Sequence, residues 1–303
     1  MKSSAKSTKY SYAAAMFHTL HSEDLSATVS SLGAELKSLK SLSTGEEFIW
    51  QDEPSIWPNS APILFPIVGR LKDGYFIYEG QRYEMDKHGF AKFSTFDLVR
   101  EEANAISFVL RSSEETKAVF PFVFELEVSF RLFANTLSVR YDVRNTGADP
   151  LFFTIGSHPA FTLPLGDSSL SDYCLRFDQP ETLDRYFLED GILTERPTND
   201  YLRDQDVIPL SASLFDNDAL IFKDIRSQRI SIEHRERGHR LTLDRGNCPH
   251  MGIWAKSGAG YVCLEPWHSF DENPSHDNEL ANKPGILRLD ASECFTTSYG
   301  IHL

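Results

Sequence analysis

The chain has 303 residues, of which 41% are hydrophobic and 24% charged, and carries a formal net charge of −14. This is an ordinary globular composition, and the length buries a core large enough to need no disulfide or metal. The acidity excludes nucleic-acid binding by general electrostatics, because no basic block is present to displace counterions from phosphates. No apolar run is long enough to span a membrane. The cysteines Cys174, Cys248, Cys263 and Cys294 are widely spaced, with no Cys-x-x-Cys pair. They read as free thiols of a reducing, cytoplasmic compartment.

In chain order, Met1 to Tyr12 is polar and holds Lys2, Lys6 and Lys9. The following Ala13-Ala14-Ala15-Met16-Phe17 is too short for a signal segment. Residues 1–20 are therefore expected to be a disordered extension, and 21–303 a single domain. Phe76-Ile77-Tyr78, Glu79-Gly80 and Gln81-Arg82-Tyr83 predict a tight hairpin. Ile106, Phe108 and Leu110 predict a half-buried strand. Phe124 to Leu132 alternates strictly between apolar and polar residues, and Leu137, Val139, Tyr141 and Val143 repeat the pattern. Leu183 to Leu188 suggests one helical turn, and Glu195 to Asp206 reads as a polar surface loop. Ile230 and Ile232 precede a turn near Gly238, with Leu241 and Leu243 after it. The dominant period is two, turn residues are frequent, and no linker or internal repeat divides the chain. The fold class is all-β, a large antiparallel sandwich or barrel.

Three residues stand where apolar runs meet turn residues: His88 in Lys87-His88-Gly89-Phe90, His158 in Gly156-Ser157-His158-Pro159-Ala160-Phe161, and Glu265 in Leu264-Glu265-Pro266-Trp267. A carboxylate takes a proton and an imidazole gives one, which suits proton transfer on a neutral substrate. The nearby aromatics offer flat faces to a sugar ring. Gly89 suggests a close backbone approach, and Pro159 biases His158 toward extended backbone. A lone histidine is more often structural than catalytic. Glu265 is the sharpest signal, because it follows the buried-looking Tyr261-Val262-Cys263-Leu264, and buried charges are rare unless paired. It is either ion-paired, with Arg70 as a candidate partner, or poised as a base. Arg70 ends the apolar run Ala61 to Gly69, and alone it reads as a surface cation. His234 and His239 fall in a charged hairpin and read as solvated. His250 and His268 are flanked by aromatics and could line a cleft, though packing is the safer reading. No histidines pair at zinc-ligand spacing, so no metal is expected. There is no Gly-x-Ser-x-Gly, phosphate loop or Gly-x-Gly-x-x-Gly, and no cofactor is expected.

Taken in order, Gly69-Arg70, His88-Gly89-Phe90, His158-Pro159-Ala160-Phe161, Asp218-Ala219-Leu220-Ile221-Phe222 and Glu265-Pro266-Trp267 resemble the aldose 1-epimerase (galactose mutarotase-like) family, from about Ala27 onward. Leu64-Phe65-Pro66 and Asp218-Ala219-Leu220 are closer to a bacterial branch. The resemblance implies a β-sandwich of the galactose mutarotase type that interconverts the α and β anomers of a free aldose without a cofactor. It also implies Glu265 as the base at the anomeric hydroxyl and His158 as the acid at the ring oxygen. Arg70, His88 and Asp218 would bind sugar hydroxyls.

The phosphate-using branch of the family has an arginine where this chain has Lys92. Lys72 and Lys92 near Arg70 keep hexose 6-phosphate epimerisation as an alternative. A non-catalytic carbohydrate-binding protein is the rival from another class, but it needs no acid and base together. A glycosidase would want two carboxylates in motifs, and only Glu265 stands in one.

Overall fold

A computed structural model describes residues 15–163 and 169–303. Two sheets dominate. The larger has nine strands in the spatial order Thr198–Pro209, Tyr173–Arg185, Arg229–His234, Gly238–Asp244, Cys294–His302, Thr136–Asn145, Phe124–Phe133, Ala105–Arg111 and Asp97–Glu102. The smaller runs Leu220–Phe222, His250–Trp254, Tyr261–Trp267, Gly156–Ser157, Ile63–Leu64, and Ala160–Thr162 also pairs with Tyr261–Trp267. A three-stranded sheet, Phe17–His21, Leu25–Ser30 and Glu35–Ser41, packs beside them. Every pairing between these strands is antiparallel.

The alternating sequence explains the register. Phe124–Phe133 and Thr136–Asn145 pair so that Leu126 faces Val143, Val128 faces Tyr141, Phe130 faces Val139 and Leu132 faces Leu137. All eight are buried, and the intervening polar residues point outward. One continuous apolar cluster takes side chains from this face and from Met251, Ile253, Val262 and Leu264 of the smaller sheet. Burying such faces against one another is the main source of stability for a sandwich.

The expected hairpin forms as Tyr75–Tyr78 and Gln81–Glu84. Three expectations shift. Phe17–His21 is already a strand, so the ordered body begins inside the span assigned to the extension; residues 1–14 lie outside the described part. Leu183 belongs to the strand Tyr173–Arg185, not to a helical turn. Most of Glu195 to Asp206 lies in the strand Thr198–Pro209. That strand is the sheet edge and mostly exposed, so it carries no apolar alternation. Its Asp200 and Asp204 adopt positive φ at register shifts, which is why it reads as a loop.

Phe65 ties the later site to the core. Its ring meets Phe90, Phe120, Phe124 and Phe153 with centroids 5.2–6.4 Å apart. Its carbonyl accepts from Phe90 N and Ala91 N at 3.1 Å each. Gly89 crosses directly over it: φ is +69°, and a Cβ there would stand 2.3 Å from Phe65 O. Only glycine fits such a crossing. Gly89→Ala should therefore destabilise the fold by about 1–3 kcal/mol from backbone strain, with the contact adding more. A thermal melt with an unchanged midpoint would contradict this close approach.

Candidate active site

Glu265 sits on Tyr261–Trp267, a strand buried along its whole length because it lies inside the sheet and is covered on both faces. Its cross-strand partner is Gly252. A Cβ at Gly252 would stand 2.5 Å from the Trp267 ring, so this glycine lets the indole lie flat across the sheet beside Glu265. His158 lies between Gly156–Ser157 and Ala160–Thr162, and its backbone N donates to Pro62 O at 3.1 Å. These anchors bring His158 Nε2 to 3.2 Å from Glu265 Oε2. The contact is close but off the hydrogen-bond line. The partner of Glu265 is thus His158 and not Arg70.

Aromatic rings hold the imidazole. Trp57 stacks on His158 at 4.9 Å, Trp254 meets its edge at 6.0 Å, and Tyr261 stacks on Trp57 at 5.6 Å. The His88 ring stands edge-on to His158 at 5.8 Å. Gly69 N donates to His88 Nδ1 at 3.1 Å. Neutral His88 therefore carries its proton on Nε2, as a donor.

These residues line an open cleft of about 940 Å³, large enough for a monosaccharide. Lys87, Lys92, Asp218, Trp254, Trp267 and Asp271 complete the part nearest the pair. Asp218 is exposed at the rim, with Oδ1 accepting from Ala219 N at 2.8 Å. Arg70 is exposed, and its guanidinium packs over Gly191, outside the cleft lining. Its backbone N donates to Asp271 Oδ1 at 2.7 Å. Lys72 also turns away, donating to His276 O at 2.7 Å.

Electrostatics follow burial. Burial pushes the Glu265 carboxyl well above its usual range; the Lys87 charge opposes this, while Asp271 and Asp218 reinforce it. Burial takes His158 down to about 3, with Lys87 acting in the same direction. Burial and the nearby cations Lys87, Lys92 and Arg70 hold His88 well below its ordinary value. The pair thus favours a neutral imidazole beside a protonated carboxyl.

The sequence left Trp57, Lys87 and Asp271 unmarked. Trp57 and Asp271 carry no local signal, since their places in the cleft come from chain segments far from His158. Lys87 stands beside His88, but adjacency alone says nothing of direction. Of the other histidines, His234 is buried, with Nδ1 accepting from Glu236 N and Arg237 N, which corrects its solvated reading. His250 packs on Phe270 and His268 on Phe295, as packing residues should. Cys263 adds a third donor beside the pair: one ligand atom each of His158, Cys263 and Glu265 lie within 4.8 Å of one another.

Lys92 is half-buried, and burial together with Lys87 brings its ammonium down to about 8. The folded state therefore binds this proton less well than the unfolded chain does. That penalty is present at neutral pH and fades as pH rises from 8 toward 10.5. Lys92→Met should melt at a higher temperature than the wild type at pH 7, with the gap narrowing by pH 10. A lower melting point at pH 7 would show that Lys92 stabilises the fold.

A model of the family described as aldose 1-epimerase matches residues 16–285. The chain is 32% identical to a galactose mutarotase related enzyme from Lactobacillus acidophilus, with a TM-score of 0.89, covering 95% of this chain and 97% of that one. A galactose mutarotase-like protein from Lactobacillus casei is 26% identical, also at a TM-score of 0.89, over 95% and 99% of the two chains. The chromosomal protein LacX of Lactococcus lactis is 29% identical over 292 residues, 93% of this chain and 97% of that protein. The match to the family model covers nearly the whole described body, and the solved relative shares the fold; the chain belongs to the aldose 1-epimerase family.

Proposed function

We propose that this protein is an aldose 1-epimerase that interconverts the α and β anomers of a free aldohexose. The observation that carries the reading is a buried imidazole and a buried carboxylate 3.2 Å apart in a cleft with aromatic walls. Glu265 removes the proton of the anomeric hydroxyl. The C1–O1 bond becomes a carbonyl as the C1–O5 bond breaks, and His158 protonates O5. Rotation about C1–C2 presents the other carbonyl face. On closure O5–H returns its proton to His158, C1–O5 re-forms, and Glu265 protonates O1.

The proton count balances. The ionised pair that starts ring opening and the neutral pair that follows it hold the same single proton. Burial favours the neutral member; Lys87 favours the Glu265 carboxylate but opposes the His158 imidazolium, which the Trp57 face stabilises. Sugar hydroxyls entering the cleft add polar partners that assist the ionised form. Each positioned proton transfer contributes about 10²–10⁴-fold. His88 donates through Nε2 to a hydroxyl and Asp218 accepts from another at the rim. Arg70 supports the wall at Gly191 and adds positive charge near His88. A glycosidase is less well served, since Asp218 is exposed and Asp271 is engaged with Arg70 N.

One observation favours a second reading, a hexose 6-phosphate as substrate. Lys87 and Lys92 line the cleft, and among the described residues neither has a carboxylate within 4.0 Å. Saturation-transfer NMR on glucose, galactose and their 6-phosphates tests both. Acceleration of the free sugars, with Lys92→Met unaffected, supports the first reading. Acceleration of the 6-phosphates alone, lost in Lys92→Met, supports the second. Line broadening without exchange on any sugar would leave only a carbohydrate-binding protein.

A further inference from the structure

Cys263 takes no part in the chemistry above and lines no part of the cleft. It is nevertheless placed beside the reacting groups. Cys263 and Glu265 are two residues apart on one strand, so their side chains leave the same face of the sheet. His158 reaches that face from the turn before Ala160–Thr162. One sulfur, one nitrogen and one oxygen donor then lie within 4.8 Å of one another, all on buried residues. Glu265 is 2% exposed, and its Oε2 has no hydrogen-bond partner. An unpartnered buried oxygen 3.2 Å from an imidazole, on a carboxyl grouped with a thiol, is costly unless something fills the arrangement.

The geometry points to an inhibitory site for a thiophilic divalent cation, Zn²⁺ or Cd²⁺, held by Cys263 Sγ, Glu265 and His158 Nε2. The donor types are those Zn²⁺ takes, with bonds of about 2.0–2.3 Å, so the three side chains would draw together by roughly 1 Å. On binding, the Cys263 thiol and the Glu265 carboxyl release their protons to solvent. The ion's two positive charges are then balanced by thiolate and carboxylate. A neutral assembly suits a buried place far better than any one of these charges alone. The imidazole ligates in its neutral form, the form that burial already favours.

Three protein donors leave a coordination position toward the cleft, so the ion exchanges and is not a permanent structural part. While bound, it occupies the lone pairs of both Glu265 and His158. Sugar and ion therefore exclude one another. The inhibitory effect rests on the epimerase reading, whereas the binding itself does not.

The test uses the protein with Cys174→Ser and Cys294→Ser, so that the more accessible thiols contribute nothing. Cd²⁺ is titrated while its thiolate charge-transfer absorption is followed. The inference expects saturation at one ion per chain, no band in the further variant Cys263→Ser, and a weakening in His158→Asn beyond the roughly 10–100-fold typical of losing an outer-shell partner. In parallel, Zn²⁺ should slow anomer exchange, with rising sugar concentration raising the ion needed. Cys263→Ser should keep its turnover and lose that sensitivity. Cys263→Ala replaces it if the serine variant fails to fold by thermal melt. A band that is absent, or identical without Cys263, overturns the inference. If no sugar is turned over at all, the epimerase reading fails while the Cd²⁺ band still decides the site.

Discussion

The arrangement depends on one carboxylate that is almost wholly buried, 2% exposed. Glu265 is carried on a strand buried along its length, and its close neighbour is an imidazole flanked by Trp57 and Trp254, which Tyr261 backs in turn. In bulk water the two groups would titrate apart, one near 4 and the other near 6.5, so at neutral pH the carboxylate would be ionised and the imidazole mostly neutral. Enclosed together they become a unit for a single proton. The rest of the cleft answers to that unit: Gly252 makes room for the Trp267 ring, Gly89 brings His88 across Phe65, and Gly69 N sets the His88 tautomer.

Such a pair does not stabilise the fold. Burying an ionisable carboxyl and holding Lys92 half-buried with no carboxylate in contact both cost stability. The large apolar core offsets these costs. Phe65 joins the two concerns, since the same ring packs against Phe124 of the large sheet and fixes the segment that carries His88. Glu265 is placed on a strand and His158 in the two-residue connection between Gly156–Ser157 and Ala160–Thr162, which limits how far the imidazole and carboxylate can drift.

Much of this was legible in the residues. The alternation in Phe124 to Leu132 and its repeat in Leu137 to Val143 correspond to the central strand pair, because a sheet with one buried face forces period two. Glu265 and His158 were legible because a charge after an apolar run and a histidine before proline are both unusual. What stayed hidden depends on distance in the chain or on weak periodicity. Thr198–Pro209 is an exposed edge strand, so nothing selects apolar residues at alternate places. Phe17–His21 is short and half-exposed. Trp57 joins the site across about a hundred residues, and Arg70 shows the converse: its Gly69-Arg70 setting was informative, yet its guanidinium rests on Gly191 while the backbone N meets Asp271.

The central claim is that the buried pair carries the proton transfers, and one comparison tests it most directly. Anomer exchange of a sugar that the wild type accelerates is measured by saturation-transfer NMR for the wild type and for Glu265→Gln. The amide keeps the size of the carboxyl and cannot act as the base. The account predicts a rate lower by about 10²–10⁴-fold, the usual contribution of one positioned proton-transfer group, with sugar line broadening retained. Exchange at the wild-type rate in that variant would contradict the account.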